Sequence, residues 1–188
     1  MKTSTTKPSL DRIIEHSHQT LKRFLGEYVT AIDMTIGNGF DTLFLAKSCK
    51  KVYGFDIQEA ALMTTRNRLN ETGLNNIELI LDCHSNFKHY VKEPFRVVVF
   101  NLGYLPTSDK TVTTLSQTTL NALRGVLEVI EPGGIIAITV YPGHLEGAIE
   151  ARDIEAFVKT LPSQAFTVLK YQIMNRHKAP YNIYINKH

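Results

Sequence analysis

The 188-residue chain is 43% hydrophobic and 21% charged, an ordinary balance for a soluble globular protein and enough length for one domain, residues 1–188, with a full core. No apolar run approaches the roughly 18 to 20 residues of a membrane span, and the polar start Met1-Lys2-Thr3-Ser4 lacks the apolar core of an export signal. A net charge of +3 permits a polyanionic partner without requiring one.

In chain order, Ser9 can cap a helix over residues 9–25, with apolar positions Leu10, Ile13, Ile14, Leu21, Phe24 and Leu25 and a stop at Gly26. His16 and His18 fall between those positions and read as solvated histidines of its outer face. A strand at 29–34 runs into a glycine turn, Asp33-Met34-Thr35-Ile36-Gly37-Asn38-Gly39-Phe40-Asp41, with a helix over 41–48 behind it. Such a turn brings backbone N–H groups and a helix start against a nucleotide-like ligand. A dinucleotide fingerprint needs a third small residue three places after its second glycine, where this chain has Thr42. The flanking carboxylates, Asp33 and Asp41, suit a cationic or neutral ligand better than a pyrophosphate.

A strand over 51–56 ends in Asp56, and a helix over 58–72 closes at Gly73. The next strand, 77–81, leads into Asp82-Cys83-His84, and a strand over 95–100 leads into Asn101-Leu102-Gly103-Tyr104-Leu105-Pro106. A helix over 114–130 precedes a strand over 135–140, which leads into Tyr141-Pro142-Gly143-His144 and a helix over 146–160. Two last strands, 166–174 and 181–186, have no helix between them and must pair as an antiparallel hairpin. Strands alternating with helices predict an α/β fold with a mostly parallel sheet covered on both faces. Five β-α units and a terminal hairpin resemble the class I S-adenosylmethionine (SAM)-dependent methyltransferase fold, seven strands with the last reversed.

In such sheets ligands bind beyond the carboxyl ends of the strands. Asp56, 19 residues after Gly37, suits a carboxylate accepting from two ribose hydroxyls, which NAD and SAM share; a plain helix cap is the alternative. Asp33 and Asp41 are expected to face the aminoacid end of SAM, where an ammonium and a sulfonium lie; the rival role of Asp41, capping its helix, occupies the same corner and is compatible with that contact. Thr35, Gly37, Asn38, Gly39 and Thr42 complete that cradle, with Asn38 and the turn amides on the carboxylate, while Ile57 and Gln58 follow Asp56. Asp82 can accept from the adenine amine, Cys83 can form a small apolar wall, and His84 is a polar neighbour. A nucleophilic Cys83 is disfavoured by its place on the adenine side. Cys49 and Cys83 form no disulfide framework and no zinc spacing with histidines, so no metal is expected and a reducing cytoplasm is.

Asn101-Leu102-Gly103-Tyr104 resembles the Asn-Pro-Pro-Tyr signature of methyltransferases that act on amino nitrogens, with both prolines replaced. That resemblance implies that the Asn101 carboxamide and a neighbouring carbonyl accept hydrogen bonds from the target amine while Tyr104 stacks on the base. Taken together, the segments 33–41, 54–58, 101–106, Asp109-Lys110 and 141–147 resemble the bacterial YtqB-like "putative rRNA methylase" family. Membership implies SAM-dependent methylation of the aminomethyl nitrogen of wobble 5-aminomethyl-2-thiouridine in tRNA. With no separate RNA-binding domain, the anticodon stem-loop would rest on the catalytic face. Tyr104 and Tyr141 are the candidates to stack the extruded uracil, His144 or Asp33 to relay the amine proton, and Lys110, Arg176, His177 and Lys178 to reach phosphates. An rRNA or small-molecule amine methyltransferase, a NAD-linked oxidoreductase and a non-catalytic SAM- or RNA-binding module remain as alternatives, and a homodimer is compatible with all of them.

Overall fold

The computed structural model describes residues 9–103 and 114–188. Its elements run α1 (Ile13–Leu21), β1 (Thr30–Asp33), α2 (Phe40–Ala46), β2 (Lys51–Asp56), α3 (Glu59–Asn70), β3 (Ile77–Leu81), a 3-10 helix (His84–His89), β4 (Val97–Asn101), α4 (Ser116–Val129), β5 (Ile135–Val140), α5 (Leu145–Val158), β6 (Phe166–Gln172) and β7 (Tyr181–Lys187). The described strands make one sheet in the order β3-β2-β1-β4-β5-β7-β6. Strands β1 to β5 pair in parallel, and β7 runs antiparallel to both β5 and β6. This is the mostly parallel α/β sheet with a reversed last strand that the strand pattern predicts.

Side chains alternate across a strand, so neighbouring residues serve opposite faces. Ile32, Phe55, Phe100 and Ile138 pack on one face with Leu123 of α4, Ile154 of α5 and Phe87 of the 3-10 helix. Ala31, Val52, Val97 and Ala137 pack on the other with Leu21 of α1 and Leu45 of α2. Because both faces are covered, β5 is buried at every position, which is why it reads as an unbroken apolar run. Among the described residues no helix is long and apolar enough to cross a membrane.

The first helix departs from the sequence reading. It starts at Ile13 with Arg12 at its N-cap, while the Ser9 hydroxyl bonds the Asp11 carboxylate and Leu10 is 83% exposed. The two histidines are not solvated. His16 stacks on Tyr171 at 3.5 Å and lies 2.8 Å from the Tyr184 hydroxyl, so it fastens the helix to the terminal hairpin. His18 stacks on Phe44 of α2, with ring centroids 3.8 Å apart. Their partners are remote in sequence, and a helical stripe carries no trace of them.

Candidate active site

The carboxyl ends of β1, β2, β3, β4 and β5 open onto one cavity of about 860 Å³. At the end of β1, Asp33 is fully buried; its carboxyl accepts from the Thr35 backbone N–H at 3.1 Å and the Thr42 hydroxyl at 2.6 Å. Burial first, and then the Asp41 carboxylate, push its pKa up to about 7. Within the turn, Gly39 has φ of 77°. A Cβ there would come within 2.4 Å of Thr65 Oγ1 on α3. Thr42 is therefore a support of the turn, and Gly39 is demanded both by its backbone angle and by the approach of α3.

At the end of β2, Asp56 accepts from the Gly37 N–H and the Gln58 N–H, each at 2.9 Å. A carboxylate oxygen has two lone pairs, so capping the helix and receiving ligand hydroxyls are compatible. Burial raises its pKa above the usual carboxylate value. Beyond β3, Asp82 accepts from Cys83 N at 2.6 Å, Asn86 Nδ2 at 2.9 Å and the Tyr90 hydroxyl at 2.8 Å. Those bonds, Tyr90's first, lower its pKa and secure the 3-10 turn. His84 is only 8% exposed, and burial depresses its pKa to about 4, only partly offset by a hydrogen bond with the Met34 backbone. Its Nε2 is buried at the cavity wall without a hydrogen-bond partner among the described residues. A buried ring nitrogen without a protein partner is suited to a hydrogen bond with a polar group of a ligand.

At the end of β4, the Asn101 N–H donates to Thr35 Oγ1 at 2.7 Å, and its carboxamide Nδ2 donates to Asp41 Oδ2 at 3.0 Å. The other Asp41 oxygen lies 2.5 Å from His18 Nε2. Gly103 has φ of 122°, an angle closed to proline, whose ring holds φ near −65°. Loss of the second proline of the signature is thus a change of backbone path. Past β5, burial and the Asp41 carboxylate push the Tyr141 phenol up to about 12, so it stays neutral. His144 caps α5, its Nδ1 accepting from Gly147 N at 3.1 Å.

Of the residues expected to meet ligands, Thr35, Gly37, Asn38, Asp41, Asp56, Ile57, Gln58, Asp82, Cys83, His84, Asn101, Tyr141 and His144 line the cavity. Asp33, Gly39 and Thr42 stand behind its wall and shape the turn. Of the two residues expected to relay a proton, His144 therefore reaches the cavity and Asp33 does not. Arg176 is also elsewhere, paired with Asp11 at 2.8 Å in a separate groove with Ser9 and Tyr171. Lys178, in a left-handed conformation with φ of 56°, lines the cavity. Tyr104 and Lys110 lie outside the described residues. Sequence reasoning missed Phe40, Leu115 and Thr118 as cavity residues. The signal for Phe40 was an aromatic directly after the glycine turn; it stays 59% exposed, its ring 4.3 Å from the Arg68 guanidinium.

Residues 52–187 match the family described as "Putative rRNA methylase". A chloroplastic tRNA (mnm(5)s(2)U34)-methyltransferase of Arabidopsis thaliana is 36% identical over 187 residues, which cover 92% of this chain and 68% of that protein. A "putative methyltransferase" from Streptococcus mutans, solved in complex with SAH, is 44% identical with a TM-score of 0.89 and covers 94% of this chain and 98% of its own. A "putative rRNA-methylase" from Clostridium thermocellum is 35% identical with a TM-score of 0.91, covering 98% of this chain and 100% of its own. The family match takes in four of the five strand ends around the cavity and the reversed hairpin, and the structural matches extend over the glycine turn as well: this chain belongs to the "Putative rRNA methylase" family.

Proposed function

We propose that this chain is a SAM-dependent N-methyltransferase that converts wobble 5-aminomethyl(-2-thio)uridine of tRNA to its 5-methylaminomethyl form. The observation that carries the reading is Asn101, a neutral carboxamide at the end of β4, lining the same cavity as Asp56 and the Gly37-Asn38 turn. Family membership and the tRNA wobble-uridine methyltransferase relative support the reaction and its RNA substrate. The donor set fits SAM. Asp56 offers acceptors for ribose hydroxyls, the orphaned His84 Nε2 and Asp82 border the strand-three corner where adenine belongs, and Asp41 sets negative charge beside a cationic centre.

Bound there, SAM supplies an activated methyl on a sulfonium, which leaves the protein chiefly the task of positioning, worth roughly 7 to 11 kcal/mol in favourable cases. The target amine attacks only when neutral. Apolar cavity residues such as Phe40, Leu102 and Leu115 favour that form by desolvation. The Asn101 oxygen accepts one amine hydrogen and so turns the nitrogen lone pair towards the donor. Tyr141 provides an aromatic wall for an extruded base, and Lys178 at the same cavity provides a cation for a backbone phosphate. Tyr104 is assigned the stacking role the signature implies, and Lys110 the phosphate role expected from its place on a predicted loop. The free thiols Cys49 and Cys83 suit a reducing, cytoplasmic setting.

The family description names rRNA, so the test includes both RNAs. Purified protein is incubated with SAM and either tRNA lacking only the terminal wobble methyl or unmodified rRNA, and the nucleosides are analysed by mass. The wobble nucleoside of tRNA is expected to gain one methyl; a gain confined to rRNA would reassign the substrate, and no gain in either would reject the reading.

A further inference from the structure

We infer that His18 and Asp41 are a positioning pair that decides which atom of the Asn101 carboxamide meets the substrate, so that turnover depends on helix α1 outside the cavity. This rests on the reading that Asn101 accepts a hydrogen bond from the target amine.

A carboxamide has two ends of similar shape and opposite chemistry. With the oxygen towards the amine, Asn101 accepts an N–H and leaves the lone pair free to attack. Turned over, its NH2 would donate to that lone pair and block the reaction. The backbone of β4 does not choose between these orientations; Asp41 does. A carboxylate has only acceptors, so the Asn101 atom 3.0 Å from Asp41 Oδ2 must be the nitrogen, which leaves Oδ1 as the atom offered to a ligand.

Asp41 is itself held. It is 7% exposed, and His18 Nε2 lies 2.5 Å from its other oxygen, where the ring must be the donor. The ring is held in place because it lies flat on Phe44, the two planes 3° apart and the centroids 3.8 Å apart. Asp41 and Phe44 are three residues apart on α2 and present one face to the ring. His18 does not line the cavity. Substitution there therefore acts on Asn101 without touching either ligand.

The test compares His18→Phe, which keeps the stack and loses the donor, with His18→Gln, which restores a donor. His18→Phe is expected to lower kcat by about tenfold to a hundredfold, with KM for tRNA and Kd for SAM within about twofold. His18→Gln is expected to recover most of the loss. Unchanged kcat in His18→Phe, or a parallel loss of SAM binding, would overturn the inference. A second readout does not need activity: the side-chain amide 15N–1H pair of Asn101, assigned by its disappearance in Asn101→Ala, is expected to shift in His18→Phe. If that variant fails to fold, the same resonance is followed in Asp41→Asn. An unmoved resonance overturns the pair, whereas a wild-type protein that methylates no RNA but shows the shift overturns only the function proposed above.

Discussion

Gly103 and Thr114 clasp each other across ten intervening residues: the Gly103 N–H donates to Thr114 Oγ1 at 3.0 Å, and the Thr114 N–H donates to the Gly103 carbonyl at 3.1 Å. The clasp is tied to α5, because the Thr114 hydroxyl donates to Glu150 Oε2 at 2.8 Å while Thr119 donates to Oε1 at 2.6 Å. Glu150 is 2% exposed, so its removal strands two hydroxyls in the interior. Glu150→Ala is expected to lower stability by about 1 to 3 kcal/mol in urea unfolding, with Glu150→Gln milder because it keeps an acceptor. Equal stability of all three proteins would show the clasp to be idle.

Binding and turnover should separate between the ends of β2 and β4. Asp56→Ala removes the acceptor proposed for ribose hydroxyls and is expected to weaken SAM binding by at least about tenfold in calorimetry. Asn101→Ala is expected to keep SAM affinity and lose turnover by more than about tenfold. Turnover that survives Asn101→Ala would end the amine-orienting role.

At the glycine turn, Gly39→Ala meets two obstacles, a φ of 77° and Thr65 Oγ1 at 2.4 Å from the new Cβ. It is expected to lower stability by about 1 to 3 kcal/mol and to weaken SAM binding as the turn shifts. Adding Thr65→Ala relieves the contact but not the backbone angle, so thermal unfolding should recover in part. Full recovery would mean that the angle is unstrained.

Two buried groups pull stability in opposite directions with pH. Asp33 titrates at about 7 when folded against 3.8 ordinarily, so between those values the folded state keeps a proton that the unfolded chain has lost. Its contribution to stability falls as pH rises through that window, by up to about 1.4 kcal/mol per unit. His84 titrates at about 4 against 6.5, so the unfolded chain binds the extra proton and stability is lost as pH falls from 6.5 towards 4. Relative to wild type, Asp33→Asn should make stability rise with pH over this range, and His84→Phe should make it fall. Urea unfolding between pH 4 and 7.5 measures both, and curves parallel to wild type would count against the buried states assigned here.

The order of strands and helices was legible in the chain because it rests on local signals. Ile135 to Val140 reads as a covered strand from its own apolar run, and Gly37-Asn38-Gly39 reads as a turn from its own glycines. The same holds for Asp56, Asp82 and Asn101, each placed at the cavity by standing at or just past the carboxyl end of a strand. Contacts across the fold had no such mark. Nothing near His18 announces Asp41, nothing near Arg176 announces Asp11, and nothing in Asp33 itself says that Thr35 and Thr42 will close over it. The sequence by itself determined the α/β alternation, the reversed hairpin and the strand ends that could carry chemistry, since periodicity and turn propensity act over a few neighbouring residues. Only the tertiary structure decided which carboxylate faces the cavity and which way Asn101 presents its amide. Those outcomes depend on β4 lying beside β1 and on α1 packing over α2, and sheet order and helix packing join residues that the chain itself keeps far apart.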